Sequence, residues 1–335
     1  MFSQHEDPGM VPAPLTPLLD PGGGNPVAPP LPPALVRAEV EALLPTQTLV
    51  EHGPLAVLFL HGAQAPAVLW ELGRLRELTF RAAGEGSGKA LDLDAFDDHY
   101  LHLVAWDRRQ GEVVGAYRLG RIDEITAGQG VAGLYTRTLW RFDARLVQAL
   151  GPALELGRSF IRVEAQRSPM TLSLLWRGIG AWLVRHPELR TLVGPVSIDR
   201  RYRDDSIQLM AGHLLACRQD PGRAPLVAAT TPLVLDPTLA ARGAALRDID
   251  ALDREVSAQE SDGRGLPVLL RQYIKLGARV LSLNVDPDFA DVVDALIVVD
   301  LDQAEPRRIR RFMGEQEHAA WRALDPQAQE LAAAS

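Results

Sequence analysis

The sequence predicts a mixed α/β fold, and three consecutive segments carry that prediction. Residues 153–163 (ALELGRSFIRV) form an apolar run of strand length that nevertheless holds Glu155, Arg158 and Ser159. A long apolar stretch, 168–186, follows with the reading of a helix, and a second strand-like run spans 191–198. Together they complete an α/β core. Burying a carboxylate, a guanidinium and a hydroxyl in a strand is unfavourable unless they pair or do chemistry. The same segment therefore predicts both the core and a site suited to a chain-like substrate.

The remaining elements arrange themselves around this core. Residues 1–33 are crowded with proline and glycine, including 21–24 (PGGG) and 29–33 (PPLPP), and predict a mobile extension. A short helix is expected at 34–44 and a strand at 55–61. Leu69, Leu72, Leu75 and Phe80 have helical spacing within 66–82. A glycine-rich loop at 84–88 precedes a hairpin made of 100–107 and 112–121. Downstream, 206–217 reads as a helix, 219–262 as a Pro- and Ala-rich region with weak helical signals, and 266–276 as a helix. Strands are expected near 279–285 and 294–301, and a charged helical tail over 304–333.

Composition excludes several classes. A chain of 335 residues buries a full core. Its net charge of −8 argues against nucleic acid as a partner. A single cysteine, Cys217, rules out an internal disulfide framework and suits a reducing cytoplasm. The N-terminus has no basic or apolar signal region, and no charge-free apolar run reaches about 18 residues. The eight histidines show no metal-ligand spacing, so no metal is expected. The glycine-rich run 84–89 is one residue short of a phosphate loop, and Ala90 stands where Ser or Thr is needed.

Six motifs in one order carry a resemblance: LGRLRELTFR (72–81), LDLDAFDDHYLHLVAWD (91–107), VVGAYRLG (113–120), ALELGRSFIRVEAQR (153–167), LLWRGIGAWL (174–183) and LVGPVSI (192–198). Together they resemble the GNAT-fold N-acyltransferases of the ornithine-lipid synthase and hemolysin-like group, relatives of the acyl-homoserine-lactone synthases. With the C-terminal run 266–301, the resemblance covers roughly residues 35–314. It implies a mixed central sheet flanked by helices, with a C-terminal α/β part from about 219; the tail beyond it, 315–335, reads as helical from its own residues.

An N-acyltransferase needs a proton acceptor for the amine, a donor for the developing oxyanion and a groove for the acyl chain. Carboxylates both bind an ammonium and relay its proton. Asp92, Asp94 and Asp97 cluster before a strand, and Glu155 lies on the core strand. On residue type alone, Asp94 and Asp97 serve equally as caps, and Glu155 as a partner for a buried arginine. The resemblance assigns Glu155, Asp94, Asp97, Arg158 and Ser159 to catalysis. Arg76, Phe80, Arg81, Asp92, Arg118, Trp176 and Arg177 are assigned to substrate binding. A direct Glu155–Arg158 pair requires a bulge in the strand, which Gly157 tolerates.

The donor follows from an absence. GNAT enzymes that use acetyl-CoA place a glycine-rich loop before the long helix to cradle a pyrophosphate. Here that place reads 166–171 (QRSPMT), without glycine and with a proline that lacks an N–H. The expected donor is therefore acyl-ACP and no bound cofactor is expected. Basic groups available to the acidic carrier are Arg177, Arg185, Arg200, Arg201 and Arg203, and the run 307–311. The expected reaction moves a fatty or 3-hydroxy fatty acyl group to the amine of an amino acid such as ornithine, giving a lyso-aminolipid. Such an enzyme is cytoplasmic and visits the membrane surface. The alternatives are a homoserine-lactone-like signal synthase and a non-catalytic lipid- or protein-binding module.

Overall fold

The computed structural model describes residues 25–166 and 168–324. In chain order they form α1 (Pro33–Gln47), β1 (Thr48–His52), β2 (Leu55–His61), α2 (Pro66–Ala82), β3 (Leu101–Asp107), β4 (Glu112–Arg121), α3 (Ile122–Gln129), β5 (Trp140–Phe142), α4 (Arg145–Leu150), β6 (Ala153–Ile161) and α5 (Pro169–Arg185). There follow β7 (Thr191–Ile198), α6 (Asp204–Cys217), β8 (Val227–Ala229), α7 (Pro237–Ala244), α8 (Ile249–Gln259), α9 (Val268–Leu276), β9 (Arg279–Asp286), β10 (Val292–Asp300), α10 (Pro306–Met313) and α11 (Glu315–Ala323).

Eight strands make one mixed sheet in the order β1-β2-β3-β4-β6-β7-β10-β9, and β5 pairs β8 in a small second sheet. Within the large sheet β6 and β7 run parallel, while the other neighbours are antiparallel. Alternation along the strands divides the core between two faces. One face carries Leu103, Tyr117 and Leu156 against Leu175, Trp176 and Ile179 of α5. The other carries Leu58, Val104 and Trp106 under α1 and α2, and Tyr100, Leu296 and Val298 further along. Both faces of β3 are covered, so all seven of its residues are buried.

Two expectations are corrected. Residues 25–32 are tied to the body: Asn25 N donates to Gly88 O at 2.9 Å, Ala28 N to Ala90 O at 2.8 Å, and the Arg81 guanidinium to Asn25 O at 2.8 Å. The expected mobile extension therefore cannot run to 33; residues 1–24 lie outside the described residues. The tail is helical over Glu315–Ala323 and packs on the body, with Trp321 of α11 fully buried and Glu317 paired with Arg177 of α5 at 3.3 Å. The expected helix beyond 324 lies outside the described residues. Finally, β1, α3, β5 and α4 form where no regular element was expected. These four are short, three to eight residues each, and fall below the length at which periodicity is readable.

Candidate active site

The sheet opens between its two parallel strands. β6 and β7 pair only through 153–155 against 191–193. Beyond that crotch a cavity of about 830 Å³ is walled by both strands, the first part of α5, the loop before α9 and the ends of β9 and β10. That size suits a small-molecule site. Gly194 sits at the crotch, where a Cβ would come 2.0 Å from the Leu156 carbonyl oxygen. At Gly157, by contrast, a Cβ would meet nothing within 4 Å, so this position faces open space.

The strand is bulged beside the opening. Ala116 pairs with Phe160 but Arg118 with Gly157, so β6 carries one residue more than β4 across this interval. Arg158 takes up the extra residue in the left-handed region, at φ 45°. A non-glycine residue there costs of the order of 1–3 kcal/mol and persists only where its surroundings over-determine it. Here two carboxylates and two rings do so. Arg158 Nε lies 3.0 Å from Asp92 Oδ2 and Nη2 lies 3.3 Å from Asp94 Oδ2. Its guanidinium stacks 4.5 Å from the ring centres of both Tyr135 and Phe289. The expected bulge is therefore present, but it does not bring Arg158 to Glu155.

Arg158 ends a ladder of alternating charge. Asp94 also takes Arg118 at 2.6 Å, Arg118 reaches Asp97 at 3.2 Å, and Asp97 holds Arg76 at 2.8 Å. Burial alone would raise the Asp97 carboxyl, but Arg76 and Arg118 hold it well below the usual carboxylate range. Burial and the Arg76 charge push His102 down to about 3, so its imidazole is neutral beside that guanidinium. Asp94 and Asp97 also form a capping box on the turn at 95–98, with Asp94 N donating to Asp97 Oδ2 at 2.9 Å. Both readings of these aspartates, cap and charge partner, are thus realised in the same atoms.

Of the twelve site residues expected from sequence, Phe80, Arg158 and Ser159 line the cavity. Asp92, Asp94, Asp97, Arg76 and Arg118 stand behind Arg158 as its support. Glu155 is fully buried and occupied: Tyr100 Oη donates to Oε2 at 2.5 Å and Thr136 N to Oε1 at 2.8 Å. Burial raises its pKa. It anchors the turn that carries Tyr135 and is not part of the cavity wall. Arg81 does not join the ladder; it pairs with Glu77 at 2.6 Å, one turn away on α2. Trp176 and Arg177 lie on α5 outside the wall. Among the basic groups offered to a carrier, Arg200 pairs with Asp204 at 3.0 Å, Arg201 with Asp199 at 3.0 Å and Arg308 with Glu305 at 2.7 Å.

The structure adds an acidic end that sequence reading missed. Glu85, Asp199, Asp286 and Asp294 line the cavity on the α2 side. Burial, then repulsion from Asp199 and Asp294, push Glu85 up to about 8. Burial pushes Asp294 up to about 7, although Ser197 donates to it at 2.8 Å, and it also raises Asp286. A sequence signal existed for Asp294, which interrupts the apolar run 292–299 as Glu155 interrupts β6. Glu85 sits in a glycine-rich loop and gives none. On the α5 side the wall is different, with Leu172, Leu266 and Leu269 beside Tyr117 and Tyr273. One cavity thus joins a carboxylate-rich pocket to an apolar one through the gap in the sheet, with Arg158 and Ser159 at the junction.

Residues 75–177 match the family described as acetyltransferase (GNAT) domain. A glycine N(alpha)-acyltransferase of Bacteroides thetaiotaomicron is 32% identical over 276 residues, covering 74% of this chain and 78% of that protein. The chain belongs to the GNAT-fold N-acyltransferases. An L-ornithine N(alpha)-acyltransferase of Agrobacterium fabrum is 26% identical over 259 residues, covering 72% of this chain and 78% of its own. Among solved structures, MesI, a CoA-dependent acyl-homoserine lactone synthase, covers 77% of this chain and 95% of its own, with a TM-score of 0.36 and 13% identity. That likeness is too remote to bear on the site. The GNAT match spans α2 to the middle of α5 and so takes in the ladder and the bulge. The chain is an acyltransferase, and among its described residues no helix is long and apolar enough to cross a membrane.

Proposed function

We propose that this GNAT acyltransferase transfers a fatty or 3-hydroxy fatty acyl group from acyl-ACP to the amine of a small amino acid, glycine or ornithine, giving a lyso-aminolipid. The observation that carries the reading is the two-ended cavity. Its carboxylates suit an ammonium, its apolar arm suits an acyl chain, and the two meet beside the bulge of β6. An incoming ammonium loses a proton to Asp294 or Glu85, whose raised pKa values lie where a base for an amine should be. The amine nitrogen then attacks the thioester carbonyl carbon. The β6 backbone at 158–159, without a register partner in β4 or β7, supplies N–H groups to the oxyanion. On collapse the C–S bond breaks, and the second amine proton leaves with the thiolate.

In this reading Glu155, Asp94 and Asp97 support the site, while Arg158 and Ser159 line it. Glu155 positions Tyr135, and the ladder holds Arg158 in its strained conformation. The acyl-ACP donor is supported by the start of α5, where the Met170 N–H is taken by Ser168 Oγ at 3.3 Å. Proline at 169 contributes no N–H, which leaves fewer free donors for a pyrophosphate. The product is an amphiphile, so transient contact with a membrane surface accompanies its release.

Steady-state assays with the same acyl chain on ACP and on CoA test the donor. The expected result is a higher kcat/KM with acyl-ACP and no turnover of acetyl-CoA. Efficient acetyl-CoA turnover with no response to acyl-ACP would overturn the donor reading.

A further inference from the structure

Between α2 and the turn at 95–98, residues 83–90 form a loop that carries Glu85 into the acidic end of the cavity. Glu77 of α2 lies behind that loop, outside the cavity wall, and is fully buried. Its carboxylate accepts a hydrogen bond from Arg81 Nε at 2.6 Å and one from Gly88 N at 2.9 Å, both on Oε1. Ser87 donates to Oε2 twice, from Oγ at 2.6 Å and from N at 3.2 Å. A carboxylate has about four such acceptor sites, so Glu77 is saturated. All of its donors except Arg81 belong to the loop.

Glu85 is thereby fixed on both sides. Its own N–H donates to Phe80 O at 2.7 Å, closing the end of α2. Two residues on, Ser87 is bound to Glu77, and only Gly86 lies between. The outer edge of the loop is clasped as well: Arg81 Nη2 donates to Lys89 O at 2.8 Å, and Asn25 N and Ala28 N donate to Gly88 O and Ala90 O at 2.9 and 2.8 Å. Among the described residues no side chain holds the Glu85 carboxyl, so its place depends on this backbone. An Arg–Glu pair one turn apart on a helix needs neither burial nor loop donors, and such pairs ordinarily stand in water and contribute little. Burying the Glu77 carboxylate is costly unless its partners offset the loss of water. What those partners fix is the loop that bears Glu85.

We infer that Glu77 is a positioning residue for the amine site: by gathering Ser87 and Gly88 it sets the loop so that the Glu85 carboxyl stands in the acidic end of the cavity. This rests on the reading of that end as the place where the amine loses its proton, and adds to it a side chain that never meets the substrate. The charged groups facing Glu85 there are Asp199 and Arg201, which follow β7, and Asp294 of β10. A shift of the loop changes the distance of Glu85 from all of them. It therefore changes the pH at which Glu85 ionises as well as its reach to the amine.

The test is Glu77→Gln, made alone and together with Glu85→Gln, with kcat, KM for the amine and thermal melting measured across a pH series. Glutamine keeps the shape but turns an NH2 toward donors that the carboxylate held, so they cannot all bond and the loop must shift. Misplacing a reacting group by about 1 Å costs up to about 10²-fold, so Glu77→Gln should lower kcat/KM by about 10–10²-fold. It should also displace the limb of the pH–rate profile that belongs to Glu85. In the Glu85→Gln background the same change should cost little more, because its effect has lost its target. Ser87→Ala removes one loop donor at a partly exposed position and leaves the core untouched, so it provides a second variant that spares the fold. It should move the same limb in the same direction by less. An equal fold-loss from Glu77→Gln in both backgrounds, with the pH profile unmoved, would mean a structural role and overturn the inference. If wild type forms amide and both Glu77→Gln and Ser87→Ala keep its full rate, this inference alone fails. If Glu85→Gln itself keeps the full rate, the inference fails while N-acyl transfer stands. If wild type forms no amide with any amine tested, the N-acyl transfer reading fails and takes this one with it.

Discussion

Arg118→Met is expected to destabilise the fold by about 3–5 kcal/mol, the loss typical when one partner of a buried ion pair is removed. Arg118 is 1% exposed and is shared by Asp94 and Asp97. Without it, Asp97 keeps only Arg76, and Asp94 keeps only the longer contact to Arg158. Two carboxylates then face each other across a buried space with one countercharge fewer. The consequence spreads to the site, because Asp94 helps to hold Arg158 at its positive φ. Urea unfolding is the measurement. With a slope of about 3 kcal/mol/M, the midpoint should fall by about 1–1.7 M. A change below about 0.5 kcal/mol, the scale of an ordinary surface substitution, would show that the ladder is dispensable.

The combined variant Glu85→Gln, Asp294→Asn is expected to lower kcat/KM by about 10²–10⁴-fold, the usual range for loss of a general base. Both side chains keep their size, so the cavity keeps its shape. Wild-type activity should rise with pH through about 7 to 8, as Asp294 and then Glu85 ionise. In the variant that rise should lose the contribution of these two groups. The sign for stability is opposite. Both carboxyls have folded-state values above their unfolded ones, so the folded protein binds more protons than the unfolded chain between those values. Their contribution is fully present below the unfolded pKa and is lost as pH rises through about 7 to 8. The variant should therefore melt with a flatter pH dependence over that window. An unchanged pH–rate profile together with wild-type turnover would remove both groups from the chemistry.

Much of this fold is legible in the sequence because its central elements are long and strongly patterned. The hairpin β3–β4, the strand β6, the helix α5 and the strand β7 each have a clear period and sharp ends. The bulge was expected from the resemblance, and glycine at 157 is a residue that tolerates it. What sequence could not decide was which groups face the cavity. Spacing along β6 says that Glu155 and Arg158 point to different faces, but not which partners wait there. The partners of Glu155, Tyr100 and Thr136, come from segments 55 and 19 residues away. The acidic end is harder still. It gathers Glu85 from a loop, Asp199 from the end of β7, and Asp286 and Asp294 from two C-terminal strands. Only the sheet order, with β10 beside β7, brings them together.

If acyl transfer takes place in the gap between β6 and β7, a side chain grown from Gly157 should stop it. A Cβ there meets nothing within 4 Å, so a side chain starts into open space on the cavity wall. Purified wild type and Gly157→Leu should be incubated with an acyl thioester and a panel of amines that includes glycine and ornithine, and the amides measured by mass spectrometry. Amide is expected from wild type and almost none from Gly157→Leu, with the two proteins melting within a few degrees of each other. Equal amide from both would place the chemistry elsewhere, and none from wild type with any pairing would contradict the account itself.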